Sequence, residues 1–179
     1  MSPVVVLDAC VLYPAAQRYL FTWLAARGVI RAHWTNEIHD EWMRNVERDF
    51  GFARSVLKRV RKLKDRGAGD ALIKHYRQHE YLFARADAKD RHVAAAAVAA
   101  RKRSKADIVT IITWNLGDFD RKELAKVGVA AETPDAFLCR LFAKSPVEEF
   151  AAFVRMQKDL RNPSRTQFRS VLIRLPHKA

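Results

Sequence analysis

Three polar residues stand where two apolar runs stop. Asp8 follows Val4-Val5-Val6-Leu7, and Asn115 and Asp118 lie just past Ile108–Thr113. Continuous β-branched runs of this kind mark strands buried on both faces of a parallel sheet. Ligands of such sheets bind beyond the carboxyl ends of the strands. Two acids and an amide at one sheet edge are therefore candidates for metal ligation or proton transfer. Each also has a plainer reading: Asp8 as a strand terminator and Asp118 as a helix N-cap. Asp87-x-x-Asp90 resembles an acidic cap for the alanine-rich helix that follows. These readings do not account for acids recurring at the ends of elements that face one edge.

Helix geometry adds a fourth acid. At 100° per residue, Trp34, Ile38, Trp42 and Val46 form the apolar stripe of a helix ending near Asp49. Glu41 lies at the margin of that stripe, Glu37 is further round, and Asp40 points nearly opposite. A carboxylate beside a buried face is unfavourable unless it is paired or metal-bound, which favours Glu41 among the three. Convergent carboxylates without cations repel and raise one another's pKa values. A hard divalent cation such as Mg²⁺ or Mn²⁺ removes that penalty, and it can lower the pKa of a bound water and stabilise charge on a phosphate.

The background charge suits a polyanionic partner. The 179 residues carry 33 Lys plus Arg against 20 Asp plus Glu, a formal charge of +13; neutralising phosphates with such groups releases condensed counterions. A basic helix ending at Arg66 holds Lys58, Arg59, Arg61, Lys62 and Lys64 around Val56, Leu57, Val60 and Leu63, a pattern that phosphate binding and plain solvation explain equally. Cys10 and Cys139 give no disulfide framework or zinc pattern. His75 and His79 stand at i, i+4, but nothing nearby completes a metal site, so a polar face is the expectation. The opening residues lack a basic n-region, and no apolar run is long enough to span a bilayer. Cytoplasmic localisation is the expectation.

The elements that must position these residues alternate. The expected strands are 4–7, 29–33, 108–113 and 129–131. The expected helices are 15–27, 35–49, one ending at 66, one ending near 83, 87–103, one starting at Asp118 and one from about 134 to 145. Such alternation predicts an α/β fold with a central parallel sheet and helices on both faces. Beyond Pro146 two helical segments, about 147–160 and 164–175, predict a C-terminal helical extension at 146–179, an appendage to the 1–145 domain.

In order along the chain, Val-Val-Val-Leu-Asp8-x-Cys10, the Glu41 helix, Asp90-Arg-His-Val-Ala-Ala-Ala-Ala and Ile-Ile-Thr113-Trp-Asn115-Leu-Gly-Asp118-Phe resemble the PIN-domain nucleases, particularly the VapC-type toxins of bacterial toxin–antitoxin pairs. The resemblance covers roughly the first 140 residues. It implies a three-layer α/β/α fold and Mg²⁺- or Mn²⁺-dependent cleavage of RNA. It also implies Asp8, Glu41, Asp90 and Asp118 as the metal-binding quartet, with Thr113 and Asn115 supporting the last acid. The partners it implies are an RNA substrate, a small antitoxin covering the site, and commonly a second copy of the chain. One departure is Cys10, which stands where such proteins usually carry Asn or Ser; a thiol is a poor hydrogen-bond partner, so weaker support of Asp8 is expected.

Two other functions fit parts of the pattern. A non-catalytic RNA-binding module would share the fold and the basic surface. A haloacid-dehalogenase-like phosphatase also uses an acid at the end of its first strand, but needs a second Asp where this chain has Cys10. A Rossmann nucleotide binder is disfavoured because no G-x-G-x-x-G follows the first strand.

Overall fold

The computed structural model describes residues 2–144. The expected C-terminal helices lie outside the described residues. The chain divides into two compact units, Met1–Glu132 and Thr133–Ala179.

The first unit is a three-layer α/β/α arrangement around a four-stranded, all-parallel sheet of order β2-β1-β3-β4. The strands are β1 (Val4–Leu7), β2 (Arg31–His33), β3 (Val109–Ile112) and β4 (Val129–Glu132). All four residues of β1 and of β3 are buried, as expected of central strands in a sheet covered on both faces. The helices are α1 (Ala9–Leu12), α2 (Ala15–Ala26), α3 (Asn36–Phe50), α4 (Arg54–Gly67), α5 (Arg91–Ser104) and α6 (Arg121–Lys126), with 3₁₀ turns at Arg77–Phe83 and Leu116–Asp118. The second unit is described through α7 (Pro134–Lys144). No helix among the described residues is long and apolar enough to cross a membrane.

Connectivity creates a crevice. From β1 the chain passes through α1 and α2 to β2 on one side of the sheet. It then returns to β3 on the other side of β1 and continues outward to β4. With right-handed crossovers, α2 and α5 cover opposite faces. The strand order therefore reverses between β1 and β3, the place where open α/β sheets bind ligands. Register sharpens the point: Leu7 lies beside Ile112, so Asp8 and Thr113 leave the sheet together.

Local chemistry sets the helices around this edge. Thr35 caps α3 by accepting a hydrogen bond from the Ile38 amide at 3.1 Å, and Gly51 ends the helix in the left-handed conformation, φ 68°. The buried face of α3 is Ile38, His39, Trp42, Met43 and Val46. Helix α5 packs on β1, β3 and β4 through small side chains, Ala94–Ala97 being fully enclosed, which lets its axis approach the sheet closely. Gly128, at φ 67°, leads into β4 where a Cβ would stand 2.8 Å from the Asp107 carbonyl oxygen; only glycine fits that approach. Inside α4, Lys64 is buried with Nζ 3.4 Å above the Trp34 ring, while Asp65 Oδ1 accepts from Trp34 Nε1 at 2.9 Å.

Several boundaries differ from the sequence expectation. Helix α1 follows Asp8 directly, a single turn too short to show periodicity. The segment ending at Phe83 is a 3₁₀ helix, and α5 begins at Arg91 rather than at 87. Asp118 does not start α6: Asp120 caps that helix, accepting from the Lys122 and Glu123 amides at 2.8 and 3.2 Å. His75 lies in the loop before the 3₁₀ turn, so His75 and His79 do not share a helical face.

Candidate functional site

The site is built on the two central strand ends. Asp8 is 3% exposed and is the N-cap of α1, its Oδ1 accepting from the Ala9 amide at 2.5 Å. Its Oδ2 accepts from the Thr113 hydroxyl at 2.7 Å and from the Cys10 thiol at 3.2 Å. Strand pairing thus delivers Thr113 to Asp8, and α1 turns the chain so that Cys10 reaches back to the same oxygen. Thr113 also accepts from the Asn115 amide at 3.0 Å, and Asn115 carries the 3₁₀ turn that ends at Asp118.

The Thr113 hydroxyl, expected to support the last acid, donates to the first, because β1 and β3 are neighbours in register. It also accepts from the Asn115 amide at the start of the turn that carries Asp118. Cys10 was expected to support Asp8 more weakly than Asn or Ser would. Its thiol donates to Asp8, lies 3.4 Å from the Thr113 hydroxyl and accepts from the Trp114 amide at 3.3 Å. Burial, followed by the charge of Asp8, pushes the Cys10 thiol up to about 12, so it stays protonated and remains a donor. At pH 8 a thiol of that pKa is thiolate only to about 1 part in 10⁴. Cys10 is therefore expected to resist iodoacetamide at pH 8 under conditions that label the unfolded chain completely, as read by peptide mass spectrometry. Labelling of native Cys10 at the unfolded rate would contradict this hydrogen-bonded arrangement.

Asp90 behaves differently from an ordinary cap. It occupies the N-cap position of α5, yet its side chain makes no capping hydrogen bond. It is 8% exposed, and its Oδ2 is buried without a hydrogen-bond partner among the described residues. Lys89 Nζ approaches that oxygen at 3.8 Å, as an ion pair without a hydrogen bond. Burial first, then the charges of Asp118 and Asp8, push the Asp90 carboxyl up to about 7. The capping reading fails on the geometry, while the repulsion expected of convergent acids is present.

Glu41 and Asp118 complete the group. Helix α3 packs on α1, and the Glu41 carboxyl is raised by burial and then by the charge of Asp8. The rival acids of its helix are engaged elsewhere. Glu37 accepts from Tyr76 Oη and from Arg77, each at 2.9 Å, and Asp40 accepts from Arg54 at 3.1 Å. Asp118 is partly exposed in the 3₁₀ turn. It acts electrostatically on both Asp90 and Lys89. Asp87 accepts from the Lys89 amide at 3.2 Å, a local turn at the rim.

Two residues of this neighbourhood went unassigned from sequence. Lys89, largely exposed, stands near Asp87 and Asp90 and is raised by the charges of Asp90, Asp118 and Asp87 in that order. It is an exposed cation beside two of the acids. His92 is buried on α5, with Nε2 3.8 Å from Glu41 Oε2 and Nδ1 unpartnered among the described residues; burial lowers its pKa, favouring the neutral ring. Its position two residues after Asp90 was the available signal.

The fit to a metal is mixed. Among the described residues no group of three or more His, Cys, Asp or Glu side chains is placed to hold an ion as the side chains stand. The donor chemistry does suit a hard dication at one atom: Asp90 Oδ2, a carboxylate oxygen, is buried with no hydrogen-bond partner among the described residues and only Lys89 Nζ at 3.8 Å. No family model, curated protein or solved structure matches the chain.

Proposed function

We propose that the chain is a metal-dependent endoribonuclease acting through Asp8, Glu41, Asp90 and Asp118. The observation that carries this reading is the buried, unpartnered Oδ2 of Asp90, held in the fields of Asp8 and Asp118 at the switch point of the sheet. A buried carboxylate without a donor is destabilising unless a cation meets it. Bound Mg²⁺ or Mn²⁺ would supply Lewis acidity and a nucleophilic water of lowered pKa. The residues that would hold it are Asp90 and Asp8, with Glu41 and Asp118 closing the set. Asp8 is already oriented by Thr113 and Cys10, and Asn115 ties the Asp118 turn to Thr113. The formal charge of +13 supports a polyanionic substrate held around this acidic centre.

The resemblance to VapC-type PIN-domain toxins supports RNA as the substrate and a small antitoxin and a second copy as partners. Exposed Phe50, Phe52, Val56 and Leu63 beside Lys58, Arg59 and Lys62 support a protein partner of opposite charge. Cys10 argues against the haloacid-dehalogenase-like phosphatase, since a thiol near 12 cannot replace the second acid. One observation favours a non-catalytic RNA-binding module: among the described residues no donor set is placed for an ion as the side chains stand.

The test is cleavage of labelled single-stranded RNA by wild type, Asp8→Ala and Asp90→Ala, with Mg²⁺ or Mn²⁺ and with chelator. Metal-dependent cleavage by wild type alone is expected. Equal cleavage by all three proteins would sink the reading, and binding without cleavage would favour the non-catalytic module. Growth arrest on expression, relieved by an adjacent small open reading frame, would support the toxin assignment.

A further inference from the structure

After α4 the chain runs Lys74-His75-Tyr76-Arg77-Gln78, a segment rich in cations and amides. It lies against the first turn of α3, where Asn36 and the loop line an open cavity of about 530 Å³. That size falls within the roughly 300–1,000 Å³ of small-ligand sites. The loop is clamped to α3 through Glu37, which accepts from both Tyr76 and Arg77. Glu37 stands beside Asn36, a residue of the cavity lining, and one helical turn before Glu41 on α3. His92 joins the two places: it stands 3.8 Å from Glu41 and feels the charges of Glu37 and Arg77.

Three of the polar groups that line the cavity, Asn36, Tyr76 and Arg77, are engaged by neighbours; the other three are unused. Among the described residues Lys74, His75 and Gln78 are exposed and take part in no side-chain hydrogen bond or ion pair. The Asn36 carboxamide oxygen is held by Arg61, which leaves its N–H groups to serve as donors. His75 adopts φ 54°, a left-handed conformation that a glycine would occupy with less strain. A strained backbone under an exposed ring is the kind of outlier that marks a ligand clamp.

Together these groups match one chemical class. A lysine suits a phosphate, the Gln78 carboxamide offers both a donor and an acceptor to a base edge, and an exposed imidazole offers a stacking face. We infer that this cavity is a subsite for one nucleotide of a single-stranded RNA that continues past the acidic centre. The inference rests on the nuclease reading in taking RNA as the ligand. An acidic peptide would use the lysine but would have no need of the amides or the ring.

The experiment uses the full chain carrying Asp90→Asn, so that binding is read without turnover, and a fluorescent mixed-sequence oligoribonucleotide titrated over a range of salt. Adding Lys74→Ala is expected to weaken binding and to reduce the slope of log K against log salt by about 0.7, one single-strand phosphate contact. Adding His75→Gly is expected to leave thermal stability unchanged or raised while weakening binding by about fivefold or more. Unchanged affinity and slope in both variants overturn the subsite, as does undetectable RNA binding or equal competition by poly-glutamate. RNA cleavage by wild type with unchanged affinity in the variants overturns the subsite alone. Binding through the cavity with no cleavage by wild type overturns the nuclease reading and leaves the subsite standing.

Discussion

Asp90→Asn is expected to abolish RNA cleavage and, at the same time, to make the protein more stable at pH 8. Burial and the charges of Asp118 and Asp8 push the Asp90 carboxyl in the folded chain up to about 7 from its ordinary 3.8. Its folded pKa is raised, so the folded state binds the proton more tightly than the unfolded state. Stability is therefore fully present below about pH 4 and is lost as pH rises through about 7. The full shift corresponds to roughly 4 kcal/mol, and side-chain relaxation with water entry reduces this to about 1–3 kcal/mol. Asparagine has the same shape without the charge, so urea melts of the variant are expected to show that gain at pH 8 and little difference at pH 4. A dication that binds only the folded state raises stability by mass action. Mn²⁺ is accordingly expected to raise the Tm of wild type and to leave Asp90→Asn nearly unmoved. Removing an electrostatic group at a reacting centre lowers the rate by about 100-fold or more. A variant less stable than wild type at pH 8, or one that keeps wild-type cleavage, would show that Asp90 is only a structural residue of α5.

That combination of signs explains which parts of the site were legible in the sequence. The strands 4–7 and 108–113 could be read because burial on both faces writes itself as uninterrupted apolar runs, and the residues at their ends follow by position. Glu41 was separated from Glu37 and Asp40 by rotation about one helix axis. The Glu37 and Glu41 side chains are equally exposed, at 38%. What distinguishes the three acids is their partners: Tyr76 and Arg77 for Glu37, Arg54 for Asp40 and His92 for Glu41. Spacing along a single element carries no information about what a second element brings across. The Thr113–Asp8 bond depends on strand register, and the His92–Glu41 approach on side chains reaching from α5 and α3. Asp118 and Asp120 are equally good caps by composition. Only the 3₁₀ turn at Leu116–Asp118 decides that Asp120 caps α6 and that Asp118 is left to act electrostatically on Asp90 and Lys89. The Cys10–Asp8 contact was not legible for a related reason: α1 is too short to be seen as a periodic pattern, and it is α1 that turns Cys10 back onto Asp8.

Asp8→Ala is expected to lose cleavage as completely as Asp90→Asn, but with the opposite effect on stability. Asp8 is satisfied where Asp90 is not. Its Oδ1 caps α1, and its Oδ2 takes the Thr113 hydroxyl and the Cys10 thiol in a place that is 3% exposed. Losing an N-cap removes about 1 kcal/mol. Leaving the buried Thr113 hydroxyl without its acceptor removes about 1–3 kcal/mol more, so a total loss of roughly 2–4 kcal/mol is expected in urea melts. Asp8→Asn separates the two roles. Its carboxamide oxygen can still accept one of these bonds, which retains much of the stability, while the charge required at the acidic centre is gone. Asp8→Asn is thus expected to fold with a Tm between those of wild type and Asp8→Ala, and to be as inactive as Asp8→Ala. Wild-type cleavage by well-folded Asp8→Asn would mean that Asp8 only caps α1, and that the chemistry lies with the remaining acids. Destabilisation on removing Asp8 together with stabilisation on removing Asp90 would place the electrostatic strain of the site on α5 and its scaffold on β1.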